Sequence, residues 1–404
     1  MNELCHARGV NIIPVMGISP KIKCVFLTTD NREHGRSYDE TAPSFPAGHY
    51  SLLQGMAQIK EIELHVLSCT QQPMQSPEKL ADNIWFHSLH VPKIGWLRTL
   101  YQGCIRATRK KIREINPDLV HGHGTERDCA ISAALSGYPN LVTVHGNMAQ
   151  IARMDHARIG SFQWLAARLE NFTLRRTLGV LCNSAYTEGL VRPRARETWL
   201  VPHALRLQFL DPPPDTGARA PLLLNVGVIT PRKRQLELLD VAEKLHRRSL
   251  KFEFHFIGHA SPGDPYVAAF LERIKPMEAA GYARFLGLQP DSELVRCYDS
   301  VAGMVHFPTE EAFGNVVVES LSRDLKFFGS RVGGIVDIAT GAPGAELFER
   351  DDWAGLADAI ERWIKAGCPR PQGAAAFIRG RYHPSVIARR HMEIYREVLG
   401  LKNG

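Results

Sequence analysis

Residues 301–320 read VAGMVHFPTEEAFGNVVVES. The first seven are a short apolar run, the mark of a fully buried strand. FPTEE then breaks the run with a proline and two acids. Helix is expected from about Gly314–Asn315, which puts Glu311 just before its N-terminus and Glu319 roughly one and a half turns inside. A strand, a tight loop and a helix in twenty residues is one βα unit. Units of that kind build parallel sheets.

The same rhythm runs outward in both directions. KCVFLTTD (23–30), EIELHVLSC (61–69), PDLVHGHG (117–124), NLVTVHG (140–146) and GVLCNS (179–184) read as strands upstream. PLLLNVG (221–227), KFEFHFIG (251–258) and ARFLG (283–287) read as strands closer to the opening stretch. Helical periodicity fills the gaps, from about His49, over 97–115 and 160–177, and near 235–248, 265–280 and 291–300. Between the two series lies LRLQFLDPPPDTGARAP (205–221), a proline-rich linker. The expected fold class is therefore α/β, with two Rossmann-like, doubly wound parallel-sheet domains in tandem. The expected boundaries are a loose leader over 1–20, a first domain over 21–207 and a second over 208–380. A C-terminal helix within 381–404 is expected to pack back on the first domain. At 404 residues the chain is long enough for two cores. Ligands of such sheets bind beyond the strands' carboxyl ends, so the cleft between the domains is the expected site.

Composition narrows the setting. A hydrophobic fraction of 44% and a charged fraction of 23% exclude wholesale disorder. The net charge of +7 suits anionic partners. The eight cysteines contain no C-x-x-C pair, and no Cys/His spacing reads as a zinc site. Unpaired cysteines in apolar strands indicate a reducing compartment, and no apolar run is long enough to span a membrane. The expectation is a cytoplasmic protein. The helix 97–115 carries Arg98, Arg106, Arg109, Lys110 and Arg113 on one face. That face suits the inner surface of an anionic membrane, and a solvated surface suits it more simply. No aromatic platform or basic stripe supports nucleic-acid binding.

Two stretches carry chemistry. In EEAFGNVVVES the free amides of the first helical turn suit an anion, and ionised acids accept from sugar hydroxyls. Acids near a helix start also stabilise it without any ligand. NVGVITPRKRQ (225–235) sets Gly227 after a strand, then Arg232, Lys233 and Arg234 before a helix. Cations there are placed to neutralise a diphosphate.

Together these stretches resemble the family 4 retaining glycosyltransferases of the GT-B fold. The resemblance rests on E-x7-E from Glu311 to Glu319 with Phe313 and Gly314 inside, and on VGVITPRKRQLELL. It extends to ARFLGLQPDSELVRCYDSV, SRVGGIVDI and AGHYSLLQGMAQIKEIELHVLS, covering about 23 to 400. It implies a first domain on the acceptor side and a second that binds the nucleotide-sugar. Glu311 would hold the donor sugar, Lys233 with Arg232 the departing diphosphate, and His145 would approach the sugar from the first domain. Glu319 would bind ribose. Phe313, Gly314 and Asn315, with the Gly227 turn, would meet sugar and phosphates. Gly48 would shape the acceptor-side loop. No D-x-D occurs, so no metal or other cofactor is expected. The expected partners are a nucleotide-sugar donor and a glycan or glycolipid acceptor. A sugar-nucleotide epimerase or phosphorylase, or a non-catalytic nucleotide-sugar-binding protein, are the alternatives of the same fold.

The sequence departs from the family pattern at Ala47, Val228, His203, Asp337 and Leu325–Lys326. Arg232 is the nearby cation left to compensate for Val228. Glu310 reads as an ordinary acid of the helix start.

Overall fold

The computed structural model describes residues 21–213 and 220–401. The leader expected over 1–20 and the middle of the linker, 214–219, lie outside the described residues. The first sheet has eight strands: β1 (Ile22–Leu27), β2 (Ile62–Thr70), β3 (Lys79–Ala81), β4 (Ile84–His90), β5 (Leu119–His123), β6 (Asn140–Val144), β7 (Gly179–Cys182) and β8 (Thr198–Leu200). Their order is β3-β4-β2-β1-β5-β6-β7-β8. All pairings are parallel except the edge pair β3–β4. The second sheet has six: β9 (Leu222–Val226), β10 (Glu253–Ile257), β11 (Ala283–Phe285), β12 (Gly303–His306), β13 (Lys326–Ser330) and β14 (Ala345–Phe348). Their order is β11-β10-β9-β12-β13-β14, parallel throughout.

Both faces of each sheet are covered, which explains why the strands are apolar runs rather than alternating ones. Cys24 and Phe26 of β1 face one core, and Val25 and Leu27 face another. Leu223 of β9 belongs to one core of the second sheet, Leu224 and Val226 to the other.

The last helix, Pro384–Val398, crosses back. Ile387, Ala388, Met392, Ile394 and Tyr395 pack with Cys24, Phe26, Leu52 and Met56 of the first sheet's core. A Cβ on Gly55 would lie 2.3 Å from the Pro384 carbonyl oxygen, so only glycine admits this approach. Tyr395 donates to, or accepts from, His121 Nδ1 at 2.7 Å.

Two local expectations change. The helix expected over 97–115 occupies only Gln102–Ile115. Leu100 and Tyr101 take φ of 53° and 62°, and left-handed backbone cannot continue an α-helix. The strands β3, β4, β8, β13 and β14 were not expected: β3, β8 and β14 are short edge strands, and β4 and β13 follow charged and turn residues that mask them.

Burial of Tyr395 gives a direct check on the final helix. Tyr395→Ala should lower stability by about 3–5 kcal/mol in urea unfolding. Tyr395→Phe, which keeps the ring and loses the hydroxyl's bond to His121, should cost about 1 kcal/mol. A Tyr395→Ala midpoint equal to that of the natural chain would contradict the docking.

Candidate active site

The carboxyl ends of β5, β6 and β7 face those of β9 and β12 across the cleft. After β12 the chain turns back over the strand ends, and the helix Asn315–Ser322 follows. Gly314 opens that helix at φ 107°, which favours glycine. The turn is clamped from outside by the VGG loop. Gly334 N donates to Glu311 O at 2.9 Å. A Cβ on Gly333 would sit 1.8 Å from that same oxygen, and one on Gly334 2.6 Å from Phe313 O. Both glycines are therefore required by close backbone packing.

Glu311 points at the other loop. After β9, Pro231–Lys233 makes one short turn, ended by Arg234 at φ 59°. Thr309 N donates to Arg232 O at 2.9 Å, joining the two loops. Lys233 Nζ then donates to Glu311 Oε2 at 2.5 Å, and His306 Nε2 lies 3.0 Å from the same oxygen. Burial alone pushes the Glu311 carboxyl up. Lys233 and His306 outweigh it and hold the carboxyl well below its ordinary range. Burial, aided by Lys233, lowers His306, so it is neutral at pH 7 and donates its Nε2–H.

Glu310, which read as an ordinary acid, is buried and accepts from Arg232 Nη1 at 3.2 Å. The side chain of Arg232 remains 44% exposed, and Val228 lies open nearby. Glu319 is buried and fully engaged. Arg206 Nε donates to Oε1 at 2.7 Å and Tyr298 to Oε2 at 3.1 Å. Arg206 also reaches Asp291 at 2.9 Å.

The first domain contributes a chain of imidazoles. Thr28 Oγ1 meets His49 Nδ1 at 2.7 Å, His49 Nε2 meets His145 Nε2 at 2.7 Å, and His145 Nδ1 meets His203 Nε2 at 2.8 Å. His203 Nδ1 then reaches Asn315 Oδ1 across the cleft at 3.2 Å. Burial and the neighbouring imidazoles push His145 well down, and burial followed by His203 pushes His49 down to about 3. The rings are therefore neutral, each giving one proton and accepting one. Because the amide oxygen accepts, His203 Nδ1 carries its proton and the direction of the whole chain follows. Protons point from Thr28 towards Asn315. Asn183 Nδ2, 3.5 Å from His203 Nε2, agrees with that polarity.

Beside this chain lies a cavity of about 560 Å³ lined by Asp30, Asn31, Gly48, His49, Glu126 and His145, among others. Asn315 and His203 form its wall toward the second domain. The domains also meet at Ser184 Oγ, which donates to Ala312 O at 2.5 Å, and at Ala185 N, which donates to Asp337 Oδ2 at 2.6 Å. Asp337, where a glutamate is usual, thus holds the far domain.

The structure separates the residues singled out from sequence. Lys233 and Glu311 meet directly, with Gly227 beneath the lysine stem at 3.8 Å from a notional Cβ. Gly48, His145 and Asn315 line the cavity. Glu319 stands apart, paired with Arg206. Phe313 is buried, its ring 4.8 Å from that of His203. Sequence reasoning missed Arg206, Tyr298, His306 and His49. Arg206 lay in the presumed linker, and His306 closes an apolar strand. Leu325, the oddest departure, is simply a core side chain, and Lys326 pairs with Glu346 at 2.9 Å.

Two family models match the chain. Glycosyl transferases group 1 matches residues 212–376, and Glycosyltransferase Family 4 matches residues 49–206. The chain belongs to the group 1 glycosyltransferases. A comparison with curated proteins gives no match. Solved structures share the GT-B fold of this glycosyltransferase. Sucrose-phosphate synthase from Thermosynechococcus elongatus matches at 16% identity and TM-score 0.72, over 94% of this chain and 100% of that one. Anabaena HepE, in complex with UDP and glucose, matches at 15% and 0.67, over 93% and 100%. A glycosyltransferase from Rickettsia africae matches at 15% and 0.65, over 95% and 100%. At these identities the likeness is one of fold.

The Lys233–Glu311 pair has a pH signature. A depressed folded value means its stabilisation is full above the ordinary glutamate value near 4.5 and fades as pH falls below it. Lys233→Met should cost the glycosyltransferase about 2 kcal/mol at pH 7, between the exposed and fully buried limits. The difference from the natural chain should shrink in unfolding curves taken below that pH. A difference that stays constant would show that the pair is not what matters.

Proposed function

We propose that this enzyme is a retaining, metal-independent glycosyltransferase that moves a sugar from a nucleotide diphosphate donor to an acceptor hydroxyl. The observation that carries the reading is the Lys233–Glu311 pair. It sits at the ends of adjacent strands β9 and β12, beside the first-turn amides of the helix Asn315–Ser322, and near the cleft wall that His145 shares with Asn315. A departing nucleoside diphosphate gains negative charge as its bond to the sugar breaks. A fixed cation and helix amides aimed at that charge stabilise the transition state, which is the electrostatic share of catalysis.

In this reading the donor exchanges partners with the protein. Lys233 turns from Glu311 to the diphosphate, with the exposed Arg232 beside it. Glu311, kept ionised, is released to accept from the sugar hydroxyls. Glu319 accepts from ribose once Arg206 and Tyr298 give way. His145, neutral and presenting a backbone and ring fixed by Asn183 and His203, faces the sugar from the other side. Neither acid is a free nucleophile in this reading, since each is then engaged by hydroxyls of the donor. Retention is then attack from the face the leaving group departs. The cavity around Gly48 takes the acceptor, read as a glycan or glycolipid of cell-surface synthesis.

No helix among the described residues is long and apolar enough to cross a membrane. Exposed Arg106, Lys110 and Arg113 on the helix Gln102–Ile115 suit a peripheral contact with the inner membrane face of a cytoplasmic enzyme.

The test is a panel of nucleotide-sugars with the purified protein, reading nucleoside diphosphate release with and without EDTA. UDP-sugars come first, because HepE is held with UDP and glucose. Release should proceed in EDTA. Lys233→Ala should lower kcat by about 100- to 1000-fold. Glu319→Ala should raise donor KM by about ten-fold or more, the scale of a lost charged hydrogen bond. Release that requires a divalent ion, or a Glu311→Gln variant with natural turnover, would overturn the reading.

A further inference from the structure

Six histidines, 49, 121, 123, 145, 203 and 391, gather under the cavity from separate parts of the chain. Five have hydrogen-bond partners. His121 meets Tyr395 and Thr143, and His391 Nδ1 meets Ile387 O at 2.9 Å. His123 is the exception. It is 3% exposed, yet neither ring nitrogen has a partner. Its ring stacks on Phe26 with centroids 3.8 Å apart and lies 5.2 Å from His49. A buried polar group left without a partner costs about 1–3 kcal/mol, so an orphaned imidazole needs a reason.

The neighbours supply one. A ring nitrogen from each of His49, His123 and His145 lies within 4.8 Å of the others. His145 Nε2 already presents a lone pair, because its Nδ1–H is given to His203. His49 needs only to move its proton to Nδ1, where Thr28 Oγ1 stands ready to accept it at 2.7 Å. Thr28 can still donate to Thr29 O at 3.5 Å. Both rings then have their outer N–H groups held, the arrangement that orients metal-ligating imidazoles. Without a proton or a cation between them, the facing Nε2 atoms of His49 and His145 would repel.

We propose that His49, His123 and His145 bind a divalent ion of imidazole preference, Zn²⁺ or Co²⁺, with one coordination position open to the cavity. Three neutral nitrogens suit such ions, whereas Mg²⁺ and Ca²⁺ require oxygen. At a Zn–N distance of about 2.0–2.1 Å, the ligand nitrogens stand about 3.3 Å apart. His49 and His145 therefore open slightly from 2.7 Å, and His123 closes in. Burial keeps the rings unprotonated, so protons compete little for the site. The ion is not the transferase's catalyst. It takes the nitrogen that His145 presents in the cleft, so it inhibits transfer; this consequence alone rests on the reading of His145 as facing the donor.

The experiment uses the full chain stripped by a chelator. Co²⁺ is added and the visible bands of four-coordinate cobalt are followed, with Zn²⁺ binding measured by calorimetry. The natural chain should bind a single tight equivalent. His123→Asn should weaken binding by roughly ten-fold or more, since losing a ligand costs at least as much as losing its outer hydrogen bond. His87→Asn should not, although His87 and His65 form another close pair at 3.0 Å. A thermal transition kept by His123→Asn shows that the loss is not unfolding. No cobalt bands in the natural chain, or binding lost with His87→Asn and kept with His123→Asn, would overturn the proposal. Tight His123-dependent binding that leaves transfer undiminished upholds the metal site and overturns the donor-facing role of His145.

Discussion

A lysine ammonium 2.5 Å from a mostly buried carboxylate ties two loops of different strands together, and the cleft is organised around that contact. Glu311 is taken out of water, which by itself favours its neutral form. Lys233 and His306 reverse that preference, so the acid stays charged in a place where charge is costly. The pair is stable only if its loops cannot drift. Gly333 and Gly334 pack backbone to backbone on the Glu311 turn, and Thr309 bonds to Arg232 on the lysine side. What is built is a charged pair fixed between two loops at the strand ends, the pair that exchanges for the donor in the proposed reading.

The second constraint is the junction of the two domains. Ser184 meets Ala312, Asp337 meets Ala185, and His203 meets Asn315. All three contacts fall at or beside the helix that begins at Asn315. A shift of one domain against the other therefore moves the first-turn amides of that helix and the histidine chain together. Arg206 adds to this, since it leaves the first domain and lies on Glu319. The final helix closes the circuit by carrying the chain from the second sheet's core to the first.

The fold was largely legible because the parallel strands are buried on both faces and so read as unbroken apolar runs. Five strands were not: β3, β8 and β14 are edge strands of three or four residues, and β4 and β13 lie inside the sheets but read as loop behind charged and turn residues. In the site, residues close in sequence were legible: Glu311, Gly314, Asn315 and Glu319 share one turn and one helix. Residues whose roles come from distant approach were hidden. Arg206 meets Glu319 across 113 positions, and His49 meets His145 across 96. The histidine cluster shows the limit most plainly. No local spacing joins 49, 123 and 145, yet the carboxyl ends of β5 and β6 and the loop helix Ala47–Ala57 bring the three together. His203 was noticed only as a departure from a pattern, and it proves to be the link that carries the chain of protons over the cleft.

The most direct measurement is a structure of the protein with an intact nucleotide-sugar bound. The account predicts that Lys233 Nζ will have left Glu311 for the diphosphate, with Glu311 on the sugar hydroxyls and Glu319 on ribose in place of Arg206. A donor bound with both the Lys233–Glu311 and the Arg206–Glu319 pairs intact would contradict it.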